Sequence, residues 1–187
     1  MRRILYFFIF ILLFFTIFDN DKYSYSNSRD SQYLREGKMD KIIHLSVQLS
    51  INSTQAFKYF TDNKLLESWL VKVAEVEPQV GGKYELFWEP SDRENNSTIG
   101  CKITGLAEGQ LISFEWRSPK QFKQFANNAD PLTHVVVSFI PQNNKTTIIH
   151  IIHSGWRSNR HWEEARLWQE QAWRAAIKRL HEIVNQK

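Results

Sequence analysis

Two histidines near the end of the chain, His150 and His153, have the spacing that most invites interpretation as a metal site. The isoleucine-rich stretch around them, residues 147–153, is typical of a β-strand. Residues three apart on a strand point to opposite faces of the sheet, so the two imidazoles cannot share an ion. We therefore predict no metal ion and no other cofactor. His153 falls on the inward face with Ile149 and Ile151, where we expect it to hydrogen-bond a core neighbour rather than a ligand.

Other side chains that could perform acid–base or nucleophilic chemistry are isolated. Glu85 and Glu89 share one face of a predicted strand, but it is the face opposite the apolar side chains and should meet water. Cys101 is the single cysteine, which excludes an internal disulfide and a cysteine-based zinc site. The sequence contains no Gly-x-Ser-x-Gly, phosphate-binding loop or His-Glu-x-x-His motif. We predict no catalytic residues. Enzymatic activity is therefore the third of three functional hypotheses, after binding of a small molecule and binding of a partner protein.

Charge argues against a nucleic-acid partner. The formal net charge is +4 for 187 residues. The first 38 residues carry six Lys/Arg and four Asp/Glu, which leaves +2 for residues 39–187. That excess is too small for a nucleic-acid footprint, and no basic run is interleaved with aromatic residues.

The strongest structural pattern is a tryptophan-rich helix at the end of the chain. Four of the seven tryptophans lie between Trp156 and Trp173. Apolar residues recur at helical spacing in two neighbouring rows, which are Trp173, Ile177, Leu180 and Val184, and Trp168, Ala172, Ala176 and Ile183. A stripe this broad needs a concave sheet to receive it.

The segments before this helix supply such a sheet. A strand with alternating apolar residues spans 43–51, and two short helices are predicted at Gln55–Thr61 and Lys64–Leu70. About six antiparallel strands follow between Val73 and His153, one of them with Ile99, Cys101 and Ile103 as its apolar face. The predicted fold class is α+β, a helix-grip arrangement in which the long C-terminal helix crosses the concave face of a curved antiparallel sheet.

The first 38 residues do not belong to this domain, which we place at 39–187. An apolar run, Ile4–Phe18, follows two arginines and suits a signal peptide or short anchor, with Asp19–Lys38 as a disordered linker. Alternatively, translation starts at Met39, because Glu36-Gly37-Lys38 can be encoded by a purine-rich stretch resembling a bacterial ribosome-binding site. We expect a cytoplasmic domain in the second case. A membrane-anchored or exported one, with a membrane as partner, is expected only if residues 1–38 are translated and retained.

Several local phrases, in this order and spacing, resemble the helix-grip superfamily of START and birch-pollen-allergen type, SRPBCC. They are Ser53-Thr54-Gln55-Ala56-Phe57, Leu66-Glu67-Ser68-Trp69-Leu70, Val80-Gly81-Gly82-Lys83-Tyr84, His153-Ser154-Gly155-Trp156 and Ala172-Trp173. Residues 39–187 look most like the family related to the C-terminal domain of the heat-shock-protein-90 ATPase activator. The resemblance implies binding of hydrophobic molecules or of partner proteins. The family shares no catalytic motif, although a few relatives are enzymes of the cyclase or hydrolase kind, which is the enzymatic alternative here.

The leading hypothesis is non-catalytic binding of an apolar small molecule in a cavity between the C-terminal helix and the sheet. The candidate cavity residues are Trp69, Tyr84, Leu86, Trp88, Cys101, Phe114, Trp116, Val137, Phe139, Ile151, His153, Trp168 and Ala172. Such pockets are mostly apolar with a few polar groups, although the same residues could simply fill a core. The alternative is a chaperone-associated protein-binding module that uses outward-facing Val136, Ile148 and Ile152.

One connection, Ser118–Pro131, is much longer than a hairpin requires. It carries Phe122 and Phe125, three residues apart and flanked by lysine and asparagine. Loops of this length often act as lids over a binding site. Phe122 and Phe125 are therefore candidate lid residues, and the alternative is that they cap the edge of the core.

Overall fold

The computed structural model of the chain describes residues 41–186. The predictions for residues 1–38, which concern a signal, an anchor or a later start, lie outside this part. Within it, no helix combines the length and the apolar character needed to cross a bilayer.

Five antiparallel strands form the main sheet. They are β1 (Ile43–Leu49), β4 (Ile103–Ala107), β5 (Leu111–Trp116), β6 (Thr133–Asn143) and β7 (Thr146–Ser154). Their order across the sheet is β1-β7-β6-β5-β4, so the first strand of the domain pairs with the last. His153 has a central position in this register, because it pairs with Ile43 on one side and Val135 on the other.

A two-stranded ribbon, β2 (Val73–Val76) with β3 (Tyr84–Phe87), continues the sheet beyond β4. The connection is irregular: isolated bridges join Lys83 to Lys102 and Phe87 to Ser97. The prediction of one continuous strand through Ile99, Cys101 and Ile103 is wrong for its first half. Ile99 and Gly100 form a turn, with Gly100 at a φ of +79°, and the regular strand begins only at Ile103.

Both predicted short helices are present, α1 at Ser53–Lys58 and α2 at Asn63–Trp69, and they begin two residues and one residue before their predicted starts. Asn52 caps α1 in a reciprocal capping box with Gln55. Asp62, which interrupts the helical pattern, caps α2 by accepting a hydrogen bond from the Leu65 amide at 3.0 Å. The polar break in the sequence thus ends one helix and starts the next.

The long C-terminal helix, α4 (Arg160–Asn185), packs its apolar face on the sheet. Its buried residues are Trp162, Ala165, Gln169, Trp173, Ile177, Leu180 and Val184. The prediction that Trp168 is buried against the sheet is wrong, since 41% of it is exposed. At about 100° per residue, Trp168 lies roughly 140° around the helix from Trp173 and so leaves the buried stripe. Ala172 and Ala176, nearer that stripe, are half-buried.

The architecture confirms the predicted fold class: a mixed α+β domain with a curved antiparallel sheet, short helices and a long C-terminal helix. The long connection 118–131 contains one helical turn, α3 (Lys123–Ala126).

Candidate binding groove

A groove of about 740 Å³ lies along one flank of α4 and is open to solvent on one side. It is bounded by the end of α2, the loop between β3 and β4, and the end of β5 with the residues after it. Five tryptophans line it, Trp69, Trp88, Trp116, Trp168 and Trp173. On the helix side three small residues, Ala172, Ala175 and Ala176, lie among the larger Trp168, Gln169, Trp173 and Arg179. Aromatic rings and methyl groups thus form an apolar surface within the usual volume range of a small-molecule site.

The tryptophans are held at fixed positions by each other and by hydrogen bonds. Trp116 packs edge-on against Trp88, with ring centroids 5.7 Å apart, and at a tilt of 41° against Trp173, with ring centroids 4.9 Å apart. Its indole nitrogen donates to the Gln169 Oε1 atom at 3.2 Å. Trp69 donates to the carbonyl of Tyr59 at 2.9 Å. Because these indole N–H groups are satisfied, the rings present their apolar faces and edges to the groove.

The polar lining is dominated by cations. Lys72, Arg117 and Arg179 line the groove, against a single carboxylate, Glu89. None of these four forms an ion pair with another residue of the range 41–186. The Nε atom of Arg117 is buried and has no hydrogen-bond partner within that range. The groove therefore combines an apolar wall with a net positive edge.

His153 lies beneath the groove in the core. Its ring is surrounded by Trp116, Trp156 and Trp173, and its Nδ1 accepts a hydrogen bond from the Trp173 indole at 3.2 Å. This confirms the expected hydrogen bond to a core neighbour. Complete burial lowers the pKa of His153 to about 3, with a smaller effect from nearby His134. The ring is therefore neutral at physiological pH, and its Nε2 has no partner in the described part of the chain.

The structure brings together some of the thirteen candidate cavity residues and separates others. Those that line the groove are Trp69, Trp88, Trp116, Trp168 and Ala172. Those that lie in the closed core are Tyr84, Leu86, Cys101, Phe114, Val137, Phe139, Ile151 and His153. Three of the groove residues, Trp69, Trp88 and Trp116, stand at or just after the end of a helix or strand, whereas Phe139 in the core is covered by Phe57 and Phe60.

Two core residues from this set carry polar atoms that burial makes inert. Tyr84 stacks on Phe114 with ring centroids 3.8 Å apart, and burial raises the pKa of its hydroxyl above the ordinary value. Burial also raises the pKa of the Cys101 thiol to about 12, although the nearby Arg117 guanidinium partly offsets this. Neither group is ionised at neutral pH, so neither supplies a nucleophile or base.

Several groove residues escaped the sequence-based prediction. Gln169 lies four residues before Trp173, a helical spacing that places it on the buried face. Arg117 directly follows the apolar alternation of β5. A search for polar residues directly after an apolar strand would have found Arg117, and helical spacing from Trp173 would have found Gln169.

The candidate lid is held by more contacts than its composition suggests. The Asn127 side chain makes two hydrogen bonds to the backbone of Ser118, at 2.7 and 2.9 Å. Phe122 packs edge-on against Trp168 at 6.0 Å, and Phe125 against Trp162 at 5.2 Å. Both phenylalanines therefore lie against α4, and Phe122 touches a groove residue.

The outer face of the sheet presents a mixed surface. Val136 pairs with Ile152, and Ile140 pairs with Ile148. Ile140 is 44% exposed and the other three are half-buried. On the same face, His150 stacks with His44 from β1, away from His153, as the spacing on the strand predicts.

Comparison with solved structures identifies the same fold in several proteins. One is a protein from Mesorhizobium loti, with a TM-score of 0.62, 15% identity, and coverage of 79% of this chain and 98% of that one. Another is an HSP90 activator from Plasmodium falciparum, with a TM-score of 0.59, 19% identity, and coverage of 77% and 96%. A third is the Aha1 dimer from Colwellia psychrerythraea, with a TM-score of 0.57, 12% identity, and coverage of 77% and 96%.

Identities this low support the fold alone. The search of curated proteins found no significant match. A family model described as "Activator of Hsp90 ATPase homolog 1-like protein" matches residues 51–185, which include both short helices, every strand after β1 and all of α4. The resemblance inferred from the sequence is thereby confirmed, and the chain belongs to the Activator of Hsp90 ATPase homolog 1-like family of the SRPBCC superfamily.

Proposed function

We propose that the domain binds an apolar or amphipathic small molecule, without catalysis, in the groove beside α4. The observation that carries this proposal is the set of five tryptophans around an open volume of about 740 Å³. The groove is open to solvent on one side, so a ligand can reach this volume. The positioned indoles, Trp116 above all, give a ligand a preformed surface.

The composition of the groove supports binding rather than catalysis. Among its lining residues Glu89 is the single carboxylate, and histidine and cysteine are absent from the lining formed by residues 41–186. Acid–base catalysis requires groups that exchange protons near neutral pH within reach of a substrate. Buried His153 and Cys101 do not meet that requirement, because their pKa values lie far from neutrality.

The test is quenching of tryptophan fluorescence by a panel of apolar ligands, compared between the wild type and Ala172→Trp. Ala172 is half-buried and faces the groove, so an indole there occupies ligand volume. We expect saturable quenching in the wild type and at least a tenfold weaker affinity in the variant. Leu167→Trp, at an exposed position on α4 outside the groove, is the matched control. Failure of every ligand to quench would refute the proposal.

A second candidate function is binding of a chaperone or another protein through the outer face of the sheet. It is favoured by the exposed Ile140 beside Val136, Ile148 and Ile152, and by the likeness to an HSP90 activator. Pull-down with a chaperone of the Hsp90 type tests it. Ile140→Lys should abolish capture, whereas Ser46→Lys, on the same face in β1, should not.

A further inference from the structure

Gln169 is the polar side chain that is buried most deeply in the wall of the groove, with 4% of the residue exposed. Its amide indicates what kind of ligand would fit the groove, an inference that rests on the function proposed above. Among the groove residues of the range 41–186, Ser97 is the other buried polar one. The Ser97 hydroxyl is already engaged, because it donates to the carbonyl of Arg93 at 2.5 Å.

The orientation of the Gln169 amide follows from its partner. The indole nitrogen of Trp116 can only donate, so the Gln169 atom that it contacts at 3.2 Å is the oxygen, Oε1. The amide nitrogen, Nε2, keeps its N–H groups and has no hydrogen-bond partner among residues 41–186. Unlike the Nε2 of His153, it is not fully enclosed, so it remains in contact with the open volume that Gln169 lines.

The aromatic side chains around this amide do not supply the missing acceptor. Trp116, Trp168 and Trp173 line the groove beside it, and an indole ring has one N–H donor and no conventional acceptor. The N–H group of Trp173 is itself committed to His153 at 3.2 Å. The buried part of the groove therefore presents an oriented hydrogen-bond donor within an aromatic surface.

We propose that Gln169 selects ligands that carry a carbonyl oxygen on an apolar body, with its Nε2 donating to that oxygen while the tryptophans contact the body. Ligand sites are mostly apolar with a few placed polar groups, and a buried donor left without an acceptor is costly. Because Trp116 already holds the amide in place, little side-chain freedom is lost on binding. The simpler alternative is that Gln169 only positions Trp116, in which case the groove has no preference for a carbonyl.

The test uses three fused-ring compounds of nearly the same shape that differ in one group. Fluorenone has a carbonyl oxygen, carbazole has an N–H group, and fluorene has a methylene group that neither donates nor accepts. Equilibrium dialysis against the full chain measures each affinity. We expect the wild type to bind fluorenone at least about tenfold more tightly than carbazole.

Equal binding of these two compounds, or tighter binding of carbazole, overturns the inference while the proposed function stands. If none of the three compounds binds, the inference fails, and the wider ligand panel described above decides the proposed function separately.

A variant separates selection of the ligand from support of Trp116. Gln169→Glu keeps an oxygen for the Trp116 indole and replaces the N–H groups by a second oxygen. At pH 9, which keeps the new carboxyl group ionised, the ratio of the two affinities should shift by at least about tenfold towards carbazole. The affinity for fluorene should change far less. Gln171→Glu, the same replacement at an exposed position of α4 outside the groove, is the matched control and should keep the wild-type ratio.

An unchanged ratio in folded Gln169→Glu would show that Gln169 only positions Trp116, and overturns the inference. If circular dichroism shows that this variant does not fold, the three-compound comparison on the wild type decides.

Discussion

The two flanks of α4 carry side chains of opposite character, long charged ones on one flank and mostly small apolar ones on the other. One flank carries a ladder of ion pairs, in which Arg166 binds Glu163 at 3.0 Å and Glu170 at 3.1 Å, and Arg174 binds Glu170 at 2.6 Å. The long side chains of this ladder cover the helix edge. The other flank carries Trp168 and three alanines and borders the groove. Small residues beside a large aromatic leave volume that the sheet does not fill, so the groove follows directly from side-chain size.

The largest expected effect is a difference in the free energy of unfolding between a substitution in the buried stripe of α4 and one on its groove flank. Trp173 is 1% exposed and donates to His153, whereas Trp168 is 41% exposed. Trp173→Ala should lower the free energy of unfolding by about 3–5 kcal/mol, because it leaves a cavity and an unpaired imidazole. Trp168→Ala should lower it by less than about 1 kcal/mol. Urea denaturation measures both, and equal losses would contradict the distinction between the two positions.

The second prediction concerns pH and the buried imidazole. The pKa of His153 is about 3 in the folded protein, against about 6.5 for an unperturbed histidine. The unfolded chain therefore binds more protons between these values, and stability must fall as the pH drops from 6.5 towards 3. Burial is the main cause of the low pKa of His153 and His134 contributes less; the pKa of His134 is itself lowered, mainly by burial.

Urea denaturation at pH 7 and at pH 4 measures this loss, which we expect to be on the order of a few kcal/mol. His153→Leu removes the titration and is the control: its stability should change less over the same interval. An identical pH dependence in the variant and the wild type would show that other groups cause the loss.

The sequence was sufficient to predict the fold because local signals agreed with each other. Alternating strands, the capping residue Asn52 and the long apolar helix all lead to the same arrangement. The groove was harder to predict from the sequence, because its position depends on where the contact between α4 and the sheet ends. Trp168 belongs to a row of apolar residues at helical spacing, as Trp173 does, yet Trp168 is 41% exposed and Trp173 is 1% exposed. The angle of roughly 140° between them shows that both cannot face the sheet. Which of the two faces it depends on how the helix is rotated on the sheet, and the apolar spacing alone does not give that rotation.

The irregular part of the sheet could not be predicted for a different reason. Ile99, Cys101 and Ile103 alternate correctly for a strand, but Gly100 adopts a positive φ that turns the chain. Glycine permits this conformation without requiring it, so the sequence alone does not distinguish a strand from a turn there.

The third prediction tests whether the connection 118–131 belongs to the core or to the groove. Replacing Phe122 and Phe125 together by serine should cost about 2 kcal/mol if the rings cap the edge of α4, because both are half-buried. As a lid, the same change should speed release of a bound amphiphile and leave stability nearly unchanged. Stopped-flow fluorescence and urea denaturation of one preparation separate these outcomes. Lys120→Ser, an exposed change in the same segment, is the control.

The smallest expected effect concerns the ion-pair flank. Arg166 is the best-covered member of the ladder, with 11% of its side chain exposed, and both glutamates hold its pKa above the ordinary value. Arg166→Met keeps the aliphatic stem and removes the charge, so the loss should be about 0.5–1 kcal/mol, because partly solvated ion pairs contribute little. The loss should shrink in 1 M salt, where the Debye length is about 3 Å. A loss that is larger and independent of salt would show that this flank is held by packing, as the buried stripe is, rather than by charge.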